Sequence, residues 1–334
     1  MKYLGIIGIF GIIALCGVFL YLRNSQSQLP TNKTENFNYK EEKKIWHAYF
    51  DQGAPSEVYD RFLSTASALD YYAAHGLSHI IGEELYSRQS WNGITLCTQD
   101  FGFGCFHGFS GAALSDRGLD AADELSSACS NLTNGEYLGC IHGIGHGILA
   151  FVGNDSLGQA LEACEPSQRN EVVGGCYGGV IMEYNYNTMQ SESGIELREF
   201  KENEAYFPCE SLNAHYQPAC YYEQPSWWYA SWEGLGSNEP KKIVKDMGRL
   251  CAGIDDSELR MYCFRGAGNV VGPRSEYSAS RMREWCAMMP DSKSNDLCYS
   301  EALGHLLGTE KGKGEIRALC ESGQVSFSSV CGPQ

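Results

Sequence analysis

Hydrophobic and polar positions fall in blocks along the chain. From Tyr3 to Leu22, twenty residues carry no charge and are bracketed by Lys2 and Arg23, enough helix to cross the hydrocarbon core of a bilayer. No small-x-small cleavage site follows, so residues 1–23 read as a transmembrane signal anchor rather than a removed signal peptide. Residues 24–40 are polar, with Pro30 and many Asn, Ser and Gln, and read as a flexible stalk. From residue 41 to 334 the pattern repeats. Stretches with helical spacing end in a cysteine (LDAADELSSAC, SLGQALEAC, EPKKIVKDMGRLC, SASRMREWC, KGEIRALC). About a dozen residues later, a second cysteine opens a more apolar stretch, usually with glycine (CFHGFSGAAL, CIHGIGHGILAF, CYGGVIMEY, CYYEQPSWWYASW, CFRGAGNVVG, CYSEALGHLLG). The pattern predicts helix A, a loop between cysteines, helix B and a short turn. LDYYAAHGLSHIIGEELY, ahead of the first cysteine, reads as one more B helix without a staple.

The cysteines sharpen this picture. There are fifteen, with no Cys-x-x-Cys pair and no Cys-x-x-Cys-His, which argues against zinc ribbons and covalent haem and leaves a disulfide framework made in an oxidising compartment. Cys16 lies in the apolar run; the other fourteen form short-range couples. These are Cys97 and Cys105, Cys129 and Cys140, Cys164 and Cys176, Cys209 and Cys220, Cys251 and Cys263, Cys286 and Cys298, and Cys320 and Cys331. Separations within couples run from 8 to 12 residues, and second members recur every 33 to 44, the period of a helix-pair repeat. Each closed loop would stabilise the fold by about 3 kcal/mol on a chain-entropy account, which suits helices too short to stand alone. The cysteines also place the repeat domain on the extracytoplasmic side of the membrane spanned by residues 3–22.

The expected fold is therefore all-α: disulfide-stapled αα-hairpin repeats, arranged as a superhelical solenoid or a closed α/α toroid, behind one transmembrane helix. As a solenoid it resembles the cysteine-rich tetratricopeptide-like repeat families, in which a disulfide also bridges the two helices of a unit. As a toroid it is similar, in the Gly-rich starts of its inner helices, to the lanthionine-cyclase toroids. Both resemblances are architectural and transfer no active site.

Charge removes one class of function. With 25 basic and 41 acidic residues and a net charge of −16, the chain lacks the clustered Lys and Arg that a general nucleic-acid binder needs. Candidate chemistry comes from comparing the repeats with each other. Two positions after the second cysteine stand His107, His142, Gly178, Tyr222, Arg265 and Ser300, so the fold itself does not demand histidine there. Yet His75, His79, His107, His142 and His146, five of the eight histidines, occupy three consecutive B stretches. Residues i and i+4 share a helix face, so each His-x-x-x-His pair can present two imidazoles to one ion, with His107 between the pairs. Glu83 continues the stripe of His75 and His79 and adds a candidate carboxylate ligand. Such a mononuclear or dinuclear site would suit zinc, copper, iron or manganese. Closeness to helix N-termini is expected to keep the rings neutral. The three glycines of CIHGIGHG imply that something, a neighbouring helix or a ligand, approaches that backbone closely.

A second candidate lies in the fourth and fifth B stretches, where Glu183, Tyr222, Glu223, Trp227 and Trp228 could form a sugar-stacking groove with paired carboxylates. Pro225 falls close to the expected start of its helix. His305, with Glu301 a turn before it, joins the histidine cluster only if the array closes into a ring. The leading reading is an exported, membrane-anchored repeat protein with a histidine-cluster ligand or metal site, open to metal-dependent catalysis. An extracytoplasmic protein interaction scaffold with structural histidines is the alternative, and a carbohydrate-active toroid the third.

Overall fold

The computed structural model describes residues 37–168, 173–189, 196–308, 310–325 and 328–331. The apolar Tyr3–Leu22 segment and most of the expected stalk lie outside the described residues. Within them, regular structure is entirely helical, and no helix is long and apolar enough to cross a membrane. In chain order the helices are α1 (Tyr39–Gln52), α2 (Pro55–Ala66), α3 (Tyr71–Gln89), α4 (Gly104–Arg117), α5 (Ala121–Cys129), α6 (Asn134–Val152), α7 (Leu157–Cys164), α8 (Gly175–Tyr186), α9 (Gln217–Gly234), α10 (Pro240–Ala252), α11 (Ser257–Arg274), α12 (Ala279–Cys286), α13 (Ser292–Gly304), α14 (Glu310–Glu321) and α15 (Ser328–Cys331).

All seven couples are disulfides, with Cα–Cα distances from 5.4 to 5.8 Å. The five amphipathic stretches ending in cysteine are α5, α7, α10, α12 and α14. Each buries one stripe, such as Ile243, Val244, Met247 and Cys251 of α10. In the first and fourth units short 3-10 turns replace helix A, at Ser90–Leu96 and Cys209–Ser211. The B helices α3, α4, α6, α8, α9, α11 and α13 stack one on the next as an inner row, with the A helices laid along its outside. Among the described residues, extensive packing joins only neighbours in this row, and none joins α11 or α13 back to α3 or α4. The array is an open one.

Several B helices start earlier than the second cysteine. In α11 and α13 the N-caps are Asp256, whose carboxylate accepts from the Glu258 and Leu259 amides, and Asp291, which accepts from the Ser294 amide. These caps lie seven residues before Cys263 and Cys298, so the disulfide ties an A helix to the second turn of B. Likewise α9 begins at Gln217, which puts Pro225 inside the helix and not near its start. The glycines of the B helices serve the stacking. A methyl group on Gly108 would overlap the His79 carbonyl, on Gly179 the His142 carbonyl, and on Gly266 the Tyr222 carbonyl. The visitor that those glycines admit is the neighbouring helix.

Candidate metal centre

Three successive B helices carry the histidines to one place. His75 and His79 lie on one face of α3, His142 and His146 on one face of α6, and His107 on α4 between them. Nε2 of His79 is 3.0 Å from Nε2 of His75, and Nε2 of His146 is 3.2 Å from Nε2 of His142. The His107 ring centroid is 5.3 Å from both His75 and His79 and 4.3 Å from His146, on which it stacks. The five resolve into two triads that share His107: His75, His79 and His107, and His107, His142 and His146, with the ligand nitrogens of each triad within 4.8 Å of one another.

The outer nitrogens are fixed by oxygen acceptors. His75 Nδ1 lies 2.7 Å from the Phe101 carbonyl, which can only accept, so the proton of this ring sits on Nδ1. That carbonyl is presented by a left-handed stretch, Phe101, Gly102 and Phe103, at φ of 50°, 66° and 62°, costing roughly 1–2 kcal/mol for each non-glycine residue. His146 Nδ1 lies 2.9 Å from Glu183, a fully buried carboxylate that also accepts from Thr188 Oγ1 at 2.5 Å and the Met189 amide at 2.8 Å. The Gly175 backbone hydrogen-bonds the His142 ring. Burial lowers the pKa of His75 to about 4 and holds His79, His107 and His142 well below the usual imidazole range, with repulsion from the neighbouring rings adding to it. Burial thus favours the neutral form of these four rings, as the sequence implied, but the cause differs: His142 sits deep in α6, beyond the reach of its N-terminal dipole, and desolvation does the work.

No known protein family matches this chain, and no characterised protein or solved structure shows significant similarity to it.

The other expected site residues go elsewhere. One more helical turn carries Glu83 away from the rings to α1, where Tyr39 donates to it at 2.6 Å and Lys43 pairs with it; it belongs to neither triad. Glu183 joins the centre as the partner of His146 and not as part of a sugar site. Trp227 and Trp228 are fully buried, and their indole N–H groups donate to the carbonyls of Arg198 and Ala205, both at 2.9 Å. They fix the long connection between α8 and α9 against the core, so neither has a face open for stacking on a sugar. Tyr222 donates to Glu301 at 2.8 Å, and Arg265 donates to the other oxygen of Glu301 at 2.8 Å. His305 meets Asn269 at 2.9 Å and stays apart from the cluster. Tyr222 and Arg265 thus hold in α9 and α11 the register that His107 and His142 hold in α4 and α6, and both bind Glu301 of α13, one position beyond it. Glu223 is buried, with one oxygen lacking a hydrogen-bond partner, and burial pushes its pKa up to about 8.

A groove of about 1040 Å³ lies one turn further along α3, α4 and α6, and none of the five histidines lines it. Its wall includes Gly111, one turn beyond His107, Gly147, next to His146, and Met189, whose methyl group lies on Gly111. Lys43, Glu83, Tyr86, Ser87, Ser115 and Asp116 give it a mixed polar rim. No pattern in the sequence points to Phe101, Thr188 and Met189, which reach the site from outside the B helices. Glu183 alone stands out, as the single charge in an otherwise uncharged run.

Proposed function

We propose that this is an exported, membrane-anchored metalloprotein whose five-histidine cluster binds a transition metal. The observation that carries the reading is the orientation of His75. Its proton is committed to the Phe101 carbonyl, so its Nε2 is unprotonated and faces Nε2 of His79 at 3.0 Å, inside a cluster of imidazoles. Metal-binding histidines are held in this way, with the far nitrogen hydrogen-bonded to a carbonyl or carboxylate and the near one free. His146 repeats the arrangement with Glu183, whose negative charge would offset part of an ion's charge. Nitrogen-only ligand sets suit zinc, copper, iron or nickel better than calcium or magnesium. A bound ion would supply Lewis-acid or redox chemistry. The seven disulfides support an oxidising compartment, and the Tyr3–Leu22 segment supports attachment to its membrane.

Elemental analysis of the purified, disulfide-intact protein tests this. The expected result is near-stoichiometric transition metal, lost when His75, His79, His142 and His146 are all replaced by alanine while the helical circular dichroism is retained. Metal-free wild-type protein that also takes up no zinc or copper on dialysis would leave the histidines as packing residues of a scaffold.

A further inference from the structure

His107 differs from the other four rings. It is about 2% exposed, and neither Nδ1 nor Nε2 has a hydrogen-bond partner. A neutral imidazole carries one N–H donor and one acceptor, and leaving a buried polar group unmatched costs about 1–3 kcal/mol. Here both are unmatched, at a position where the repeat accepts Gly178, Tyr222 or Ser300. The same ring is the member common to both triads. The rings of the pair on either side of it face each other, Nε2 to Nε2 at 3.0 and 3.2 Å, and the five do not gather into one group. A single ion would therefore use one triad and leave the other pair idle, with one His107 nitrogen still unmatched.

We propose that His107 bridges two transition-metal ions, one held with His75 and His79 and the other with His142 and His146. This rests on the metal-binding reading above and adds its nuclearity. His107 would bind one ion through each ring nitrogen. As the second ion binds, the remaining N–H bond breaks, its electron pair becomes the second metal bond, and the proton leaves to solvent. No electron is transferred. The other four rings bind as neutral imidazoles through Nε2, His79 moving its proton to the far nitrogen.

Copper(II) is the probe, because it binds imidazole sites most strongly among the divalent ions and reports its neighbours by electron paramagnetic resonance. The full-length protein is loaded with copper(II), freed of excess, and measured for copper content and integrated spin. Two coppers per chain with most of the spin signal lost to coupling through the shared ring is the expected result. Replacing His75 and His79 by alanine should leave one copper with its full signal, and His107→Gln should abolish coupling. If His107→Gln does not fold, the wild-type and double-variant spectra still decide the matter. Two coppers at full spin intensity, or saturation at one, would overturn the bridge and leave the metal reading intact. No bound copper would overturn both.

Discussion

At the scale of single residues, burial shifts the protonation of His75 and Glu223 in the inner row, with opposite consequences for base and acid. For His75 the folded pKa of about 4 lies below the ordinary 6.5. Its contribution to stability in the metal-free protein is present above pH 6.5 and is lost as pH falls through about 4. Glu223 runs the other way. Its folded value of about 8 lies above the ordinary 4.5, so its contribution is fully present below pH 4.5 and is lost as pH rises through about 8. With one oxygen unpartnered, the ionised form has little to offset its desolvation. Glu223→Gln should therefore unfold at nearly the wild-type temperature at pH 4, and by pH 8.5 should be more stable than wild type by an amount on the order of a few kcal/mol. Thermal melts of both proteins across that range check the sign. A constant difference between them at every pH would mean that the carboxyl is not held neutral by the fold.

Among the elements, the repeats use glycine for two purposes that sequence alone does not separate. In the inner row it lets one helix backbone approach the next. In α14, Gly314 is exposed and has open space where a side chain would stand. Gly266→Ala should push α11 off the Tyr222 carbonyl and cost about 1–3 kcal/mol or more, whereas Gly314→Ala should stabilise by about 0.5–1 kcal/mol through helix propensity. Denaturant unfolding of the two variants measures both effects, and equal responses would show that the inner helices are not in backbone contact at Gly266. The positions of the A and B helices were legible because cysteine spacing and apolar content repeat from unit to unit. Their starts were less so: Asp256 and Asp291 are ordinary N-cap residues, but the cysteines that follow them looked like the natural boundary. The histidine cluster was legible for the same reason as the helices, since i, i+4 spacing and equal register place His75, His79, His107, His142 and His146 on adjoining faces. What surrounds them was not. The Phe101 carbonyl depends on a left-handed backbone, and Thr188 and Met189 arrive from a loop whose path no periodicity describes. Glu83 was assigned to the rings because a helical stripe continues in register, while the position of α1, which takes its carboxylate away, has no repeat to announce it.

For the whole molecule, the open row explains why there are so many disulfides. Each repeat packs chiefly on its neighbours, so stability accumulates locally along the row. The A helices are short, α7 and α12 spanning eight residues each, well under the length at which isolated helices persist in water. Every staple closes a loop of similar size, with separations of 8 to 12 residues, so each should contribute a similar amount, about 3 kcal/mol on the chain-entropy account. Replacing Cys164 and Cys176 together by serine should thus lower stability by about that much, without abolishing folding. Reducing all seven removes more than the roughly 5–15 kcal/mol by which a typical domain is stable, so the fully reduced chain should lose its cooperative melt and most of its helical circular dichroism at 25 °C. Because the links lie within units, peptides of the non-reduced protein should show only the seven sequential pairs. A reduced chain that kept a cooperative transition would show that helix stacking through the glycine contacts suffices, and that the staples serve durability more than folding itself.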